Sequence, residues 1–208
     1  DLEALRRLTD IYWAGEQLDA CAKILAVRVR VEVEPQTRAQ LFRRLGELYT
    51  TARPDAALAL RAWREALVFA PSDVHVLEQI AIAAQAAGEA SIGLAACERW
   101  LKASPSPLMQ ARCLRYMGQL LLAAGDPKRA ERALVAALDR NPTDADALAA
   151  LVSYFEQRGD AGAAKVRLDR VAHALRTVAL TQPTVAALLA LARVHQARGQ
   201  VGVEGAWL

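Results

Sequence analysis

Apolar residues recur along this chain at helical spacing. Phe42, Leu45 and Tyr49 open a series of triples spaced i, i+3, i+7, continued by Leu77, Ile80 and Ala84, by Leu114, Met117 and Leu121, by Leu148, Leu151 and Phe155, and by Leu188, Leu191 and His195. Each triple predicts the buried stripe of one helix. Directly after the middle member stands Gly46, Ala81, Gly118, Val152 or Ala192, mostly small residues that allow a neighbouring helix to come close. A second kind of helix is clearest in "KRAERALVAALDRNP", where Ala130, Leu134 and Ala137 line one face ahead of Pro142.

The punctuation between these helices repeats. Pro35, Pro71, Pro105, Pro142 and Pro183 are separated by 36, 34, 37 and 41 residues. Between them fall turn signals at Gly15, Pro54, Gly88, Gly125, Gly159 and Gly199. The predicted unit is helix, tight turn, helix, proline, and the units run roughly 1–36, 37–73, 74–108, 109–144, 145–184 and 185–208, the last lacking most of its second helix. We treat them as one solenoid domain over 1–208. Both ends fall inside helical patterns, as expected of a piece of a longer chain.

One stretch conflicts locally with this plan. "VRVRVEVEP", Val27 to Pro35, alternates valine with charge as a strand does. A lone strand would have no partner for its backbone groups in an all-helical array, so the stretch is predicted as helix, supported by i, i+4 pairs of Arg28 with Glu32 and Arg30 with Glu34. The segment from Gly159 to Pro183 is unusual in another way. It holds seven residues more than regular spacing allows, about two turns or about 10 Å of added helix, with Val171, Leu175 and Val178 on one face. It is read either as a docking helix or as the cap of a kink.

Composition fits helix. Hydrophobic residues make up 54% but aromatic residues only 5%, so alanine and leucine dominate. The net charge of +3 comes without a long basic run, which argues against nucleic acid as partner. The longest uncharged stretch near the C-terminal end, Thr177 to Ala192, is interrupted by Gln182 and Pro183 and too short to span a bilayer, so no membrane insertion is expected. Cys21, Cys97 and Cys113 are odd in number and far apart, and read as small buried hydrophobes in a reducing compartment.

No catalytic constellation emerges. His75, His173 and His195 lie in different units, away from any carboxylate or cysteine at ligand spacing, and the glycines are isolated rather than gathered in a phosphate loop. Asp126 and Asp160 read as helix caps beside turn glycines. Trp13, Trp63, Trp100 and Trp207 read as packing residues, Trp63 most clearly. We expect no enzyme activity, no metal and no cofactor.

With its order of bulky residue, Leu-Gly, Tyr, then Ala, aromatic, Ala and Pro, the chain resembles the tetratricopeptide repeat family. The best matches are "LFRRLGELY" (Phe42, Leu45, Gly46, Tyr49), continued by Ala59, Trp63, Ala66 and Pro71, and the unit from Leu114 to Pro142. Trp100 where the family has a small residue, Gly93 inside a second helix, and His195 in the tyrosine slot depart from it. The resemblance implies an all-α fold, an α-solenoid of antiparallel helix hairpins coiled as a right-handed superhelix, with the first helices lining a concave groove.

Given that arrangement, partner-binding residues are expected at Arg43, Glu47 and Thr50, at Glu78 and Gln85, at Arg112, Arg115 and Gln119, and at Ser153 and Glu156. Gln40, His75, Ile82, Asp146, Leu189, Arg193 and Gln196 belong to the same faces. Arginines on a concave wall suit carboxylates, which makes an acidic or C-terminal peptide the expected ligand. The lysine and asparagine with which some family members clamp chaperone C-termini are replaced by Arg43 and Glu47, so that clamp is not matched.

The leading reading is a non-enzymatic scaffold holding peptide or helical segments of a partner. The alternative is a sensor or regulatory arm making intramolecular contact with missing domains. A third reading is a periplasmic factor for secretion or polysaccharide export. A cytoplasmic location goes with the first two.

Overall fold

The computed structural model describes residues 2–52, 54–158, 161–181 and 184–204, with backbone alone at 161, 163 and 198–204. Among them the chain is helical from end to end, without strands. The helices are α1 (Leu2–Ala14), α2 (Leu18–Val31), α3 (Pro35–Glu47), α4 (Ala56–Phe69), α5 (Val74–Ala87), α6 (Ala90–Ala103), α7 (Pro107–Ala123), α8 (Pro127–Arg140), α9 (Ala145–Arg158), α10 (Ala161–Thr181) and α11 (Val185–Glu204). A π-helical turn, Leu48–Ala52, extends α3. Two compact units result, Asp1–Ala103 with α1 to α6 and Ser104–Leu208 with α7 to α11.

Helix starts are set by short acidic side chains. Asp55, Asp73 and Asp126 accept hydrogen bonds from the backbone N–H of Leu58 (2.9 Å), Val76 (3.1 Å) and Arg129 (3.1 Å). Asp144 does the same for Asp146 and Ala147. Each satisfies donors that a first helical turn leaves unpaired. Asp160 lies outside the described residues. Helix ends at Gly88 and Gly125 are left-handed, with φ of 73° and 75°, where glycine avoids a Cβ penalty. In the first turn that conformation falls on Glu16, not on Gly15.

"VRVRV" is helical as far as Val31, but Glu32, Val33 and Glu34 are not. Pro35 starts α3 instead of merely ending α2, and a residue before proline is driven to extended backbone. Neither expected i, i+4 pair forms. Glu32 turns inward to Arg6 of α1 at 3.6 Å, and Glu34 caps α3 by accepting from the backbone of Gln36 and Thr37. The valines are shared between two sides: Val29 is buried, whereas Val27 and Val31 face solvent.

In the first unit, Cys21, Leu25, Val29, Leu41, Leu45 and Leu48 form one cluster, with Tyr12, Phe42 and Tyr49 against it. Trp63, Leu77, Ile80 and Trp100 are buried further along. Trp13 is 43% exposed, contrary to the packing role expected of it, and Trp207 lies outside the described residues. All three cysteines are buried and unbridged, and burial pushes the Cys21 thiol up from its ordinary pKa.

Close approach occurs where the small residues predicted it. A Cβ on Gly46 would lie 2.4 Å from the Trp63 ring, and one on Gly118 would lie 2.6 Å from Leu134 Cγ. In the second unit Ala130, Leu134 and Ala137 of α8 are all buried, as are Leu148, Leu151 and Phe155 of α9.

The last helix departs from its predicted register. The buried positions of α11 are Ala187, Ala190, Val194 and Ala197, one residue before the expected stripe, so Leu188 and His195 are exposed. Four small or β-branched residues in phase allow α11 closer to its neighbours than the leucines would. Helix α11 also runs through Gly199, where a turn was expected. The long fifth-unit helix is present: α10 has 21 residues against 14 in α8, with Val171 and Leu175 buried and Val178 half-buried.

Candidate partner-binding surface

The cap that starts the first helix of one hairpin also anchors the first helix of the hairpin before it. Arg43 of α3 forms an ion pair with Asp73, the N-cap of α5. In the second unit Arg115 of α7 reaches Asp144, which caps α9, at 3.4 Å, and Asp146 at 2.9 Å. Its guanidinium also lies over the Tyr116 ring, 4.4 Å from the centroid. Arg43 and Arg115 therefore already hold carboxylates of their own chain. A bidentate grip on a partner's carboxylate would have to displace those pairs.

The other expected residues divide by exposure. Thr50 points into its own hairpin: its hydroxyl donates to the Gly46 carbonyl at 2.7 Å and accepts from Trp63 Nε1 at 3.2 Å. Glu78 is buried, 5% exposed. Gln40, Glu47, His75 and Gln85 are open to solvent in the first unit, and His75 meets the Trp63 ring edge-on at 5.8 Å. Arg112 is exposed and Gln119 half-buried in the second.

Ser153 and Glu156 are brought together with Arg193 and Gln196 around a cleft of about 310 Å³ between α9 and α11. Leu148, Val152 and Ala197 line its apolar part. The spacing of Ser153 and Glu156, and of Arg193 and Gln196, is i, i+3, which places each pair on one helix face. Glu156 and Arg193 have no ion pair among the described residues. The cleft thus offers a carboxylate, a guanidinium, an amide and a hydroxyl over an apolar floor, donors and acceptors in the mixture that a peptide backbone requires. Ser153 also accepts a hydrogen bond from Gln157 at 3.3 Å.

Among the described residues no group of three or more His, Cys, Asp or Glu side chains could hold a metal, and no helix is long and apolar enough to cross a membrane. His173 and His195 are exposed on separate helices.

Comparison with known proteins bears on the fold. Residues 111–154 match the family model described as tetratricopeptide repeat. No curated protein matches the chain. Among solved structures, MamA is 11% identical with a TM-score of 0.62, over 93% of this chain and 95% of that one. A tetratricopeptide repeat protein from Parabacteroides merdae is 16% identical with a TM-score of 0.64, over 98% and 77%. YrrB, described as a TPR protein with an unusual peptide-binding site, is 19% identical with a TM-score of 0.59, over 72% and 74%. The fold class is all-α, an α-solenoid of helix hairpins.

Proposed function

We propose that this chain, whose residues 111–154 match the tetratricopeptide repeat model and whose fold is that of solved tetratricopeptide repeat structures, is a non-enzymatic scaffold that holds a peptide or helical segment of a partner protein along its inner helices. The observation that carries this reading is the α9–α11 cleft, where Ser153, Glu156, Arg193 and Gln196 surround an apolar floor. Exposed Glu47, Gln85 and Arg112, with half-buried Gln119, extend the inner surface within their own units. Arg43 and Arg115 serve the scaffold in a different way, by fixing the spacing between successive inner helices. With one acid and one base on its walls, the cleft suits a segment of mixed or neutral character better than a purely acidic one.

The test is capture from the native source with the whole chain beside a Ser153→Trp variant, retained proteins being identified by mass spectrometry. Ser153 is exposed, so the indole fills the cleft without entering the core. A partner lost by about tenfold or more with the variant supports the reading. Equal retention by two proteins of matched thermal stability overturns it.

A further inference from the structure

A second groove lies on the other side of α3, between α2 and α4. At about 100° per residue, Arg38, Phe42, Leu45 and Tyr49 share one face of α3, while Gln40, Arg43 and Glu47 lie nearly opposite. The groove has a volume of about 410 Å³, larger than the inner cleft. Phe42, Leu45 and Tyr49 form its floor, and Val29 and Leu58 stand on its walls. The π-helical turn begins just at this floor: Leu48–Ala52 widens the end of α3, and a bulge of this kind often marks a functional position.

The charge around this floor is one-sided. Arg30, Arg38 and Arg61 line the groove against a single carboxylate, Glu65. Arg30 and Arg61 are exposed and have no ion pair among the described residues. Arg38 packs its guanidinium over the Phe69 ring at 5.1 Å, and Phe69 stacks on Phe42 at 6.2 Å. That stack fixes the arginine in place, yet its Nε is buried without a hydrogen-bond partner. The nearby Glu34, which could have neutralised the rim, is committed to capping α3.

We propose that this groove is a docking site for an acidic amphipathic segment of a partner protein, one aliphatic or aromatic side chain entering between α2 and α4 and flanking carboxylates meeting Arg30, Arg38 and Arg61. Charge complementarity selects the acid, and the apolar floor selects the side chain between the acids. The site is independent of the inner cleft, because no residue lines both.

The test is selection of a random twelve-residue peptide display library on the whole chain, followed by affinity measurement of the enriched peptides. Two variants read the groove. Ala26→Trp fills it from an exposed position on α2, and an Arg30→Glu, Arg61→Glu pair reverses two exposed charges. The expected result is enrichment of peptides with Asp or Glu flanking an aliphatic or aromatic residue, with binding weakened about tenfold or more by either variant and unchanged by Ser153→Trp. Peptides without acidic bias, acidic peptides whose binding survives Ala26→Trp, or no enriched peptide at all overturn the proposal. Loss with Ser153→Trp alone assigns the peptide to the inner cleft instead.

Discussion

The second and fourth hairpins use the same parts and arrive at different surfaces. In α3–α4 and in α7–α8, a glycine on the first helix presses against a large side chain of the second, Gly46 on Trp63 and Gly118 on Leu134. In both, an arginine on the first helix pairs with the aspartate that caps the first helix of the following hairpin. The fourth hairpin continues as α-helix to Ala123, whereas the second passes into a π-helical turn at Leu48. Thr50 and Thr51 stabilise that turn by donating to the carbonyls four residues back, and Thr50 also receives the indole N–H of Trp63. The bulky indole and the widened helix therefore belong to one local solution. Repeats built to one rule still acquire individual surfaces, through the side chain chosen to fill the contact.

The largest expected effect breaks that contact. Gly46→Ala gains up to about 1 kcal/mol of helix propensity but drives a Cβ into a ring that cannot move aside, so a net loss of about 1–3 kcal/mol is expected in urea unfolding. A Trp63→Leu change in the same chain should recover part of it. Gly118→Ala should cost less, about 1 kcal/mol, because the leucine it meets can change rotamer. Equal losses at the two glycines would remove the distinction drawn between the hairpins.

A smaller effect tests what the hairpins share. Asp73→Ala should cost about 1 kcal/mol for the cap and up to about 1 kcal/mol more for the pair with Arg43. Asp126→Ala is the control, since Asp126 caps α8 and, among the described residues, its ion pair is with Arg129 of its own helix. A double-mutant cycle between Arg43 and Asp73 measures the inter-hairpin part, and zero coupling there would deny the pair its anchoring role.

The smallest effect concerns acid. Hydrogen bonds from the Thr37 side chain and backbone, and then from the Gln36 backbone, hold the Glu34 carboxyl below its ordinary pKa. A depressed carboxylate contributes stability above its unfolded pKa, and that contribution is lost as pH falls through the lower, folded value. Thermal melts of Glu34→Gln and the parent chain should therefore differ at neutral pH and converge below the ordinary carboxylate range. A difference that persists in acid would mean the cap does not act through its charge.

Helix positions and hairpin boundaries were legible because they rest on local chemistry: a 3.6-residue apolar period, glycines at left-handed turns, and prolines at unit junctions. Phe155, Leu134 and Trp63 could be placed in the core on that basis alone. The register of α11 could not, because its small residues and its leucines offered two stripes one residue apart, and packing chose Ala187, Ala190, Val194 and Ala197. Binding residues were harder to read. Periodicity shows that Arg43 and Arg115 lie off the buried stripe, but their carboxylate partners lie 30 and 29 residues away, one hairpin further along at the caps of α5 and α9. An aspartate at the next hairpin's helix start, about one repeat downstream of each arginine, was the available signal. The groove between α2 and α4 reaches the π-helical turn at Tyr49, and the trace of that turn in sequence is the Thr50–Thr51 pair at the end of a helix.

The extra length of α10 has a geometric consequence. Seven residues advance an α-helix by 700°, about 20° short of two complete rotations, so an insertion of this size hardly changes the direction in which later side chains point. Ala164 leads to Val171, Leu168 to Leu175 and Val171 to Val178, each seven residues apart, and the apolar side turned toward α11 is carried outward almost without rotation. An insertion of five residues would have swung it by well over a right angle and turned the apolar side away from α11. Lengthening by a heptad is thus a nearly silent edit: the helix gains reach while its existing contacts keep their aim.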